Sequence, residues 1–302
     1  MKVFSGSSNK PLAEEVANVL SLKLSPLEIF VFPDGEKRVR VEENVVDEDV
    51  IVVQSTATPV DQNYMELLFI IDALKRSGAK SITVVIPYLG YQRQDHIFRS
   101  GEAVSLDVVV HALERTGVSK VITFDLHSIK IPEVFSVPVS HLSALSLFAD
   151  KIRNLGEGVL VSPDMGGLRR IEKMAELLDG MPWIATVKDR DLNTGSIIIN
   201  EIDGRDKDID LTGKSAFIID DMISSGGTVV KAAELLKKRG VEKVIVFVTH
   251  AIFSANAQKL LQESLIEKIY VTDSVSVSKE KHFDKLEILS IANMIEKEMN
   301  ER

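Results

Sequence analysis

A chain of 302 residues, 45% hydrophobic and 27% charged, is long enough for two domains and has the make-up of an ordinary globular protein. Its net charge of -9 argues against general binding to nucleic acid or an anionic membrane, while leaving local basic pockets open. There is no cysteine for a disulfide, thiolate nucleophile or zinc–thiolate site, no apolar run approaches the ~20 residues of a membrane span, and MKVFSGSSNK lacks the apolar core of a signal peptide, so the cytoplasm is the expected compartment.

In chain order, Met1–Phe4 predicts a strand, Ser5 to Asn9 a loop, and Pro11–Leu22 an amphipathic helix with Leu12, Val16, Val19 and Leu20 inward. A small-residue loop opening a helix is either an anion site or a plain turn with an N-cap. Leu27–Phe32 and Arg38–Val41, joined by Pro33-Asp34-Gly35-Glu36, predict a hairpin. Strands at Val50–Gln54, Ser81–Ile86 and Val121–Phe124 alternate with helices at Asn63–Ser77 and Leu106–Thr116, the pattern of a parallel sheet with helices on both faces. A second α/β unit begins near His141–Ser143, with helices at Leu145–Asn154 and Gly167–Leu178 and strands at Val159–Ser162 and Trp183–Val187. Asp189–Asn200 is polar and ambiguous, and Asp203–Asp210 reads as a solvated loop. A strand at Ala216–Ile219, a helix from Val229, a strand at Val244–Val248 and a helix at Ile291–Met299 complete the chain. Leu-Lys-Arg-Ser-Gly at 74–78 and Leu-Lys-Lys-Arg-Gly at 236–240 hold the same place in the two halves, which argues for two similarly wound domains, 1–142 and 143–302.

The most informative stretch is KSAFIIDDMISSGGTVVKAAELLKKRG, from Lys214 to Gly240. A buried strand ends at the acids Asp220 and Asp221. Ser224, Ser225, Gly226, Gly227 and Thr228 then form a small-residue loop before a helix with Val229, Ala232, Ala233 and Leu236 on one face. Such a loop aims backbone N–H groups at one point and favours an anion, most often a phosphate. The helix dipole supplies only about 0.3–1 kcal/mol, so charge-assisted hydrogen bonds of roughly 1.5–3 kcal/mol each carry most of the affinity. Paired acids just upstream suit the hydroxyls of a sugar attached to that phosphate. The plain alternative is a strand–loop–helix turn with a serine cap.

Other strand ends carry polar groups. Arg93, Gln94 and Asp95 follow Ser81–Ile86, where an arginine suits a triphosphate and a glutamine reads polar groups; alone they read as a solvated loop. Asp125-Leu126-His127 closes another strand, and a lone histidine there is either a metal or phosphate contact or a satisfied structural residue. Asp164, before Gly166 and Gly167, suits Mg²⁺ with retained waters or a helix cap. Lys188 and Arg190, two cations one residue apart, suit charge developing on a transferring phosphoryl group, or are a surface run.

Ile218 to Thr228 resembles the phosphoribosyl pyrophosphate loop of the type I phosphoribosyltransferase fold. The ordered set Phe4–Ser8, Phe32–Glu36, Tyr91–Asp95, Asp125–His127, Ser162–Gly167, Lys188–Arg190 and 220–228 resembles the ribose-phosphate diphosphokinases over nearly the whole chain. The resemblance implies an α/β fold of two similarly wound parallel-sheet domains of the type I phosphoribosyltransferase fold. It implies transfer of the β,γ-diphosphoryl group of ATP to the 1-hydroxyl of ribose 5-phosphate, with the ATP side on 1–142 and the acceptor side on 143–302. Phe32, Asp34 and Glu36 would hold adenine near a subunit interface of a homo-oligomer, and Arg93, Gln94, Asp95 and His127 would contact ATP. His127 and Asp164 would meet Mg²⁺ or its waters, Lys188 and Arg190 would act in catalysis, Asp220 and Asp221 would hold the ribose hydroxyls, and Ser224, Ser225, Gly226, Gly227 and Thr228 the 5-phosphate.

Three departures qualify the match. Ser224 stands where many members carry an acid, which leans toward the archaeal-type enzymes, Ile97 and Phe98 stand where many carry lysines, and Lys188-Asp189-Arg190 keeps both cations of the family's Lys-Glu-Arg but shortens the acid between them. Two rivals remain: a phosphoribosyltransferase, which leaves Phe32–Glu36, Arg93-Gln94 and His127 unexplained, and a non-catalytic regulatory homologue, against which Lys188, Arg190 and Asp220-Asp221 argue.

Overall fold

The computed structural model describes the backbone of residues 1–190 and 197–301 and the side chains of 1–187 and 201–301. The chain forms two compact units. The first comprises Met1–Leu142 with Asp273–Ser276 and Ser290–Arg302, and the second comprises Ser143–Thr272 with Val277–Leu289. Within the expected second domain, 143–302, Asp273–Ser276 and Ser290–Arg302 group with the first unit, and the last helix packs on the first helix of the chain.

In the first unit, β1 (Lys2–Ser5) leads to α1 (Lys10–Val19) and the hairpin β2 (Leu27–Val31) and β3 (Lys37–Val41). Then β4 (Asp49–Val53), β5 (Ser81–Ile86), β6 (Lys120–Phe124) and β7 (Val139–Leu142) alternate with α2 (Val60–Arg76) and α3 (Ser105–Thr116). The sheet runs β1-β4-β5-β6-β7, all parallel. DVIVV and SITVVI are continuous apolar runs because both faces of a parallel strand are covered. On α2, Leu67, Ile70, Ile71 and Leu74 recur at helical spacing and are fully buried against the sheet.

The second unit begins with α4 (Leu145–Leu155), β8 (Val159–Ser162) and α5 (Leu168–Leu177), followed by β9 (Trp183–Arg190) and β10 (Ile197–Asp203). It continues through β11 (Ser215–Ile223), α6 (Gly227–Lys238), β12 (Lys243–Ala251), α7 (Ala257–Glu263), β13 (Lys268–Thr272) and β14 (Leu286–Leu289); α8 (Ala292–Asn300) then returns to unit one. Its sheet runs β10-β9-β8-β11-β12-β13-β14, parallel except for β10 against β9. Each unit is thus a strand, an inserted hairpin and four further strands laid down side by side. In the first unit the hairpin is a separate ribbon, and in the second it extends the sheet. Among the described residues, no helix is long and apolar enough to cross a membrane.

Several bounds differ from the sequence reading. β11 does not stop at Ile219 but pairs with β12 through Asp220 and on to Ile223, so the paired acids lie within the strand. β9 continues past Val187 to Arg190 because β10 pairs with it. α1 ends at Val19, three residues short of Leu22, where Ser21 turns to a positive φ of 56°. The strands β7, β13 and β14 and the helix α7 have four to seven residues each, too short for a periodicity to show.

Candidate functional site

On the second unit the site is built where β11 ends and α6 begins. Gly226 holds φ +82 at the N-cap of α6, a conformation that costs a side chain energy and a glycine little. Gly227, Thr228 and Val229 are the first residues of the helix, whose amides have no carbonyl to bind within it. A side chain at Gly227 would meet nothing closer than Ser225 Oγ at 3.9 Å, so a ligand can approach the backbone there. Ser224 is tied to the start of the next loop: Ser254 N–H donates to Ser224 O at 3.0 Å, and the two hydroxyls are 2.9 Å apart. The geometry is that of an anion cradle at a helix N-terminus.

The acids are held by a residue that sequence reading missed. Arg170 on α5 donates from Nη1 to Asp220 Oδ1 at 2.9 Å, and its Nη2 stands 3.5 Å from Asp221 Oδ1. All three side chains are largely buried. Burial, then the neighbouring Asp221, push Asp220 well above the usual carboxylate range; Arg170 pulls it down and Asp164 pushes it further up. Arg170 reaches β11 because β8 is the neighbour of β11, which sets the opening of α5 beside the acids. Strand order is what a sequence does not state, so only the position of Arg170 after Gly166-Gly167 hinted at it.

Asp164 lies in the turn after β8. Its Oδ1 accepts from Gly166 N–H at 2.9 Å, and Ser162 Oγ donates to its carbonyl at 2.7 Å. Asp164, Asp220 and Asp221 offer only oxygen donors in a negative field, which suits a hard divalent cation. Among the described residues no three such side chains converge into a cage. The backbone of Lys188 and Arg190 lies at the end of β9, opposite Ile199 and Ile197 of β10, and their side chains lie outside the described residues.

On the first unit, Gly90 fixes the loop after β5. A Cβ there would stand 2.6 Å from Thr56 O, and Gly90 N–H donates to Thr56 Oγ1 at 2.8 Å. Tyr64 donates to Gly90 O at 2.9 Å, and Tyr91 O–H bonds Asp61. This scaffold presents Arg93, which is exposed, and Gln94 and Asp95, which are half-buried. Gln94 O accepts the first amide turn of α3 from Leu106 N–H at 3.2 Å, and Asp95 pairs with His96 at 2.6 Å. Buried Gln92 links this loop to the next: its Oε1 accepts from His127 N–H at 2.8 Å. His141 Nε2 accepts from Leu126 N–H at 2.9 Å, so the Asp125–His127 turn is held from two sides, with the exposed His127 side chain at its edge.

The hairpin turn carries Phe32, Asp34 and Glu36. Phe32 N–H donates to Glu36 O at 2.8 Å, Gly35 N–H to Phe32 O at 2.9 Å, and Asp34 Oδ1 accepts from Glu36 N–H at 3.1 Å. The Phe32 ring meets Phe30 edge-on at 5.0 Å, and the Arg38 guanidinium lies over Phe30 at 5.1 Å. Phe30, Val31 and Phe32 are exposed. The turn therefore offers an aromatic face with acids beside it.

The Ser5–Asn9 loop is not an open anion site. Ser7 N–H donates to Glu66 Oε1 at 2.6 Å and Ser8 N–H to Gln54 Oε1 at 3.1 Å, so the chain's own carboxylate and amide oxygens take these two N–H groups.

Residues 1–117 match the family model for the N-terminal domain of ribose phosphate pyrophosphokinase, and residues 206–301 match that for the phosphoribosyl synthetase-associated domain. A ribose-phosphate pyrophosphokinase of Fusobacterium nucleatum is 40% identical over 310 residues, covering 99% of this chain and 95% of that protein. Ribose-phosphate pyrophosphokinase 1 of Listeria monocytogenes is 40% identical over 298 residues, covering 98% and 92%. The crystal structure of phosphoribosylpyrophosphate synthetase from Mycobacterium smegmatis superposes with a TM-score of 0.91 at 34% identity, covering 99% of this chain and 97% of that one. These relatives are bacterial and lend no support to the archaeal leaning read from Ser224.

Proposed function

The chain belongs to the ribose-phosphate pyrophosphokinase family, and from that premise we propose that it transfers the β,γ-diphosphoryl group of ATP to the 1-hydroxyl of ribose 5-phosphate, giving phosphoribosyl pyrophosphate and AMP. The observation that carries this reading is the anion cradle of α6 with the Asp220-Asp221 pair beside it, inside a likeness that spans 99% of the chain.

The Ser224, Ser225, Gly226, Gly227 and Thr228 loop takes the 5-phosphate on free helix amides, and Asp220 and Asp221 accept from the ribose hydroxyls. Phe32, Asp34 and Glu36 take adenine, the ring by stacking and the acids from its amino group. Arg93, Gln94, Asp95 and His127 contact ATP, with the Arg93 guanidinium suited to its phosphates. The sugar 1-hydroxyl oxygen attacks the β-phosphorus and gives up its proton to water, the bond from that phosphorus to the oxygen bridging to the α-phosphate breaks, and AMP leaves. Lys188 and Arg190 are assigned to the charge on the transferring group. Such a reaction needs positioning and charge compensation rather than a covalent nucleophile, which agrees with a chain lacking cysteine. His127 and Asp164 are the side chains assigned to Mg²⁺ or its waters, with the acids of β11 nearby in charge. When bound, Mg²⁺ neutralises phosphate charge and orients the diphosphoryl group.

Self-association is part of the proposal, supported by the exposed aromatic face of the hairpin. The cytoplasm is the compartment proposed.

Incubating the protein with ATP, ribose 5-phosphate and Mg²⁺ and separating the nucleotides tests the activity. AMP formed only with ribose 5-phosphate present is the expected result. ADP would mean an ordinary kinase, and ATP binding without turnover would mean a regulatory homologue.

A further inference from the structure

The strand β3 turns Lys37, Val39 and Val41 inward and Arg38 and Arg40 outward. Across the ladder the inward residues face Val31, Ile29 and Leu27 of β2. The Leu27–Val41 and Ile29–Val39 rungs pack on the core of the first unit. On the next rung the pattern breaks: Val31 is 54% exposed, and the inward position holds a lysine where an apolar residue is expected.

That lysine has a prepared partner. Lys37 Nζ stands 2.6 Å from Glu66 Oε2 on α2, with the Glu66 side chain only 1% exposed and Lys37 15%. Glu66 is itself fixed from two other elements. Ser7 donates from its N–H to Oε1 at 2.6 Å and from its hydroxyl to Oε2 at 2.9 Å, and Gln54 Nε2 donates to Oε1 at 3.0 Å. Burial works against the charge, and Lys37 and Ser7 hold the Glu66 carboxyl below the ordinary value all the same. Lys37 therefore docks onto a carboxylate locked between α2, the β1–α1 loop and the end of β4, not onto a mobile surface acid.

Lys37 also follows Glu36 directly, so the tether sits at the foot of the Phe32–Glu36 turn. An open cleft of about 430 Å³ lies beside it, lined by Gly35, Glu36 and Lys37 of the hairpin and by Asp61, Met65 and Phe69 of α2. We propose that Lys37 and Glu66 are positioning residues for nucleotide binding: their buried pair sets where the hairpin turn stands over α2, and so where the Phe32 face meets the base. This rests on the reading of Phe32, Asp34 and Glu36 as the adenine site.

The test compares full-length Lys37→Met, Lys37→Arg and Phe32→Ala enzymes by steady-state kinetics, with amide hydrogen exchange over residues 27–41. Lys37→Met keeps the length of the side chain and removes the charge. It should raise KM for ATP about 10-fold, with KM for ribose 5-phosphate and kcat within about twofold. Lys37→Arg should return KM for ATP to within about threefold, and the turn amides of Phe32 and Gly35 should exchange faster in Lys37→Met alone. A merely stabilising pair would lower the melting temperature and leave both KM values in place. Unchanged KM for ATP in Lys37→Met, beside a raised value in Phe32→Ala, would overturn the tether. Unchanged KM in both variants, with faster hairpin exchange in Lys37→Met, would overturn the adenine reading and the proposal with it.

Discussion

Two carboxylates on neighbouring residues of one strand, with one arginine between them, cannot titrate independently. Burial and Asp221 keep a proton on Asp220 to a higher pH than an ordinary acid. The folded pKa lies above the unfolded one. The stability this gives the ligand-free enzyme is thus complete below the usual carboxylate range and is lost as pH rises through the raised value. On the proposed role of the pair, function runs the other way, since ribose hydroxyls would need the ionised acids as acceptors. The acid limb of kcat/KM for ribose 5-phosphate should therefore lie above the ordinary carboxylate range. Arg170→Met removes the group that favours ionisation, so it should move that limb further up and raise KM for ribose 5-phosphate about 10–100-fold at neutral pH, with KM for ATP little changed. A pH profile of the variant decides this; an unmoved limb would leave Arg170 as a packing residue. The cations of β9 are expected to act later in the reaction. Lys188→Ala or Arg190→Ala should lower kcat at least ~100-fold with modest changes in both KM values, as for loss of a transition-state contact. Unchanged kcat in either variant would remove it from the mechanism.

At the scale of elements, the long pieces were legible and the joints were not. Val50–Val53, Ser81–Ile86 and the α2 stripe of Leu67, Ile70, Ile71 and Leu74 declare themselves because a doubly covered strand must be apolar throughout and a helix must repeat its apolar face. The extension of β11 through two acids was not legible, since a polar pair at a strand end looks the same whether or not the ladder continues. Gly90 was visible as a glycine but not as a necessity, which comes from Thr56 O standing 2.6 Å from where its Cβ would be. Gly90→Ala should cost about 1–3 kcal/mol of stability as an overpacked site, read from denaturant unfolding with ATP absent. The start of α8 carries a second hidden joint. Asp273 accepts from Ile291 N–H at 3.0 Å, and its own carbonyl accepts from buried Asn9 at 2.6 Å. Burial raises the Asp273 pKa to about 6, against the pull of the Ile291 hydrogen bond. Here again the folded value is above the unfolded one, so its contribution is full below the ordinary carboxylate pKa and is lost as pH rises through about 6. Asp273→Asn keeps the acceptor and removes the charge. It should leave stability unchanged at about pH 3 and add about 1–2 kcal/mol at pH 8, discounted for partial exposure.

At the scale of the whole molecule, the chain carries one winding twice, and the copies differ in how the hairpin sits. Both units place a hairpin between their first and second core strands. In the second unit that hairpin joins the sheet through β9; in the first it is a separate ribbon, packed on the core by its inner rungs and leaving Phe30, Val31 and Phe32 exposed. Three large apolar residues on one short ribbon are a poor surface for a monomer and a good one for an interface. The chain, 33.4 kDa alone, should sediment as an oligomer. Phe30→Asp tests whether the ribbon is responsible, because Phe30 lies two residues before Phe32 and outside the turn itself. A charge placed there should lower the sedimenting mass at micromolar concentration. If nucleotide binding depends on the neighbouring subunit, KM for ATP should then fall back toward the wild-type value as enzyme concentration is raised. An unchanged mass in Phe30→Asp would move the interface elsewhere on the chain. A lower mass with KM for ATP independent of concentration would separate assembly from the nucleotide site.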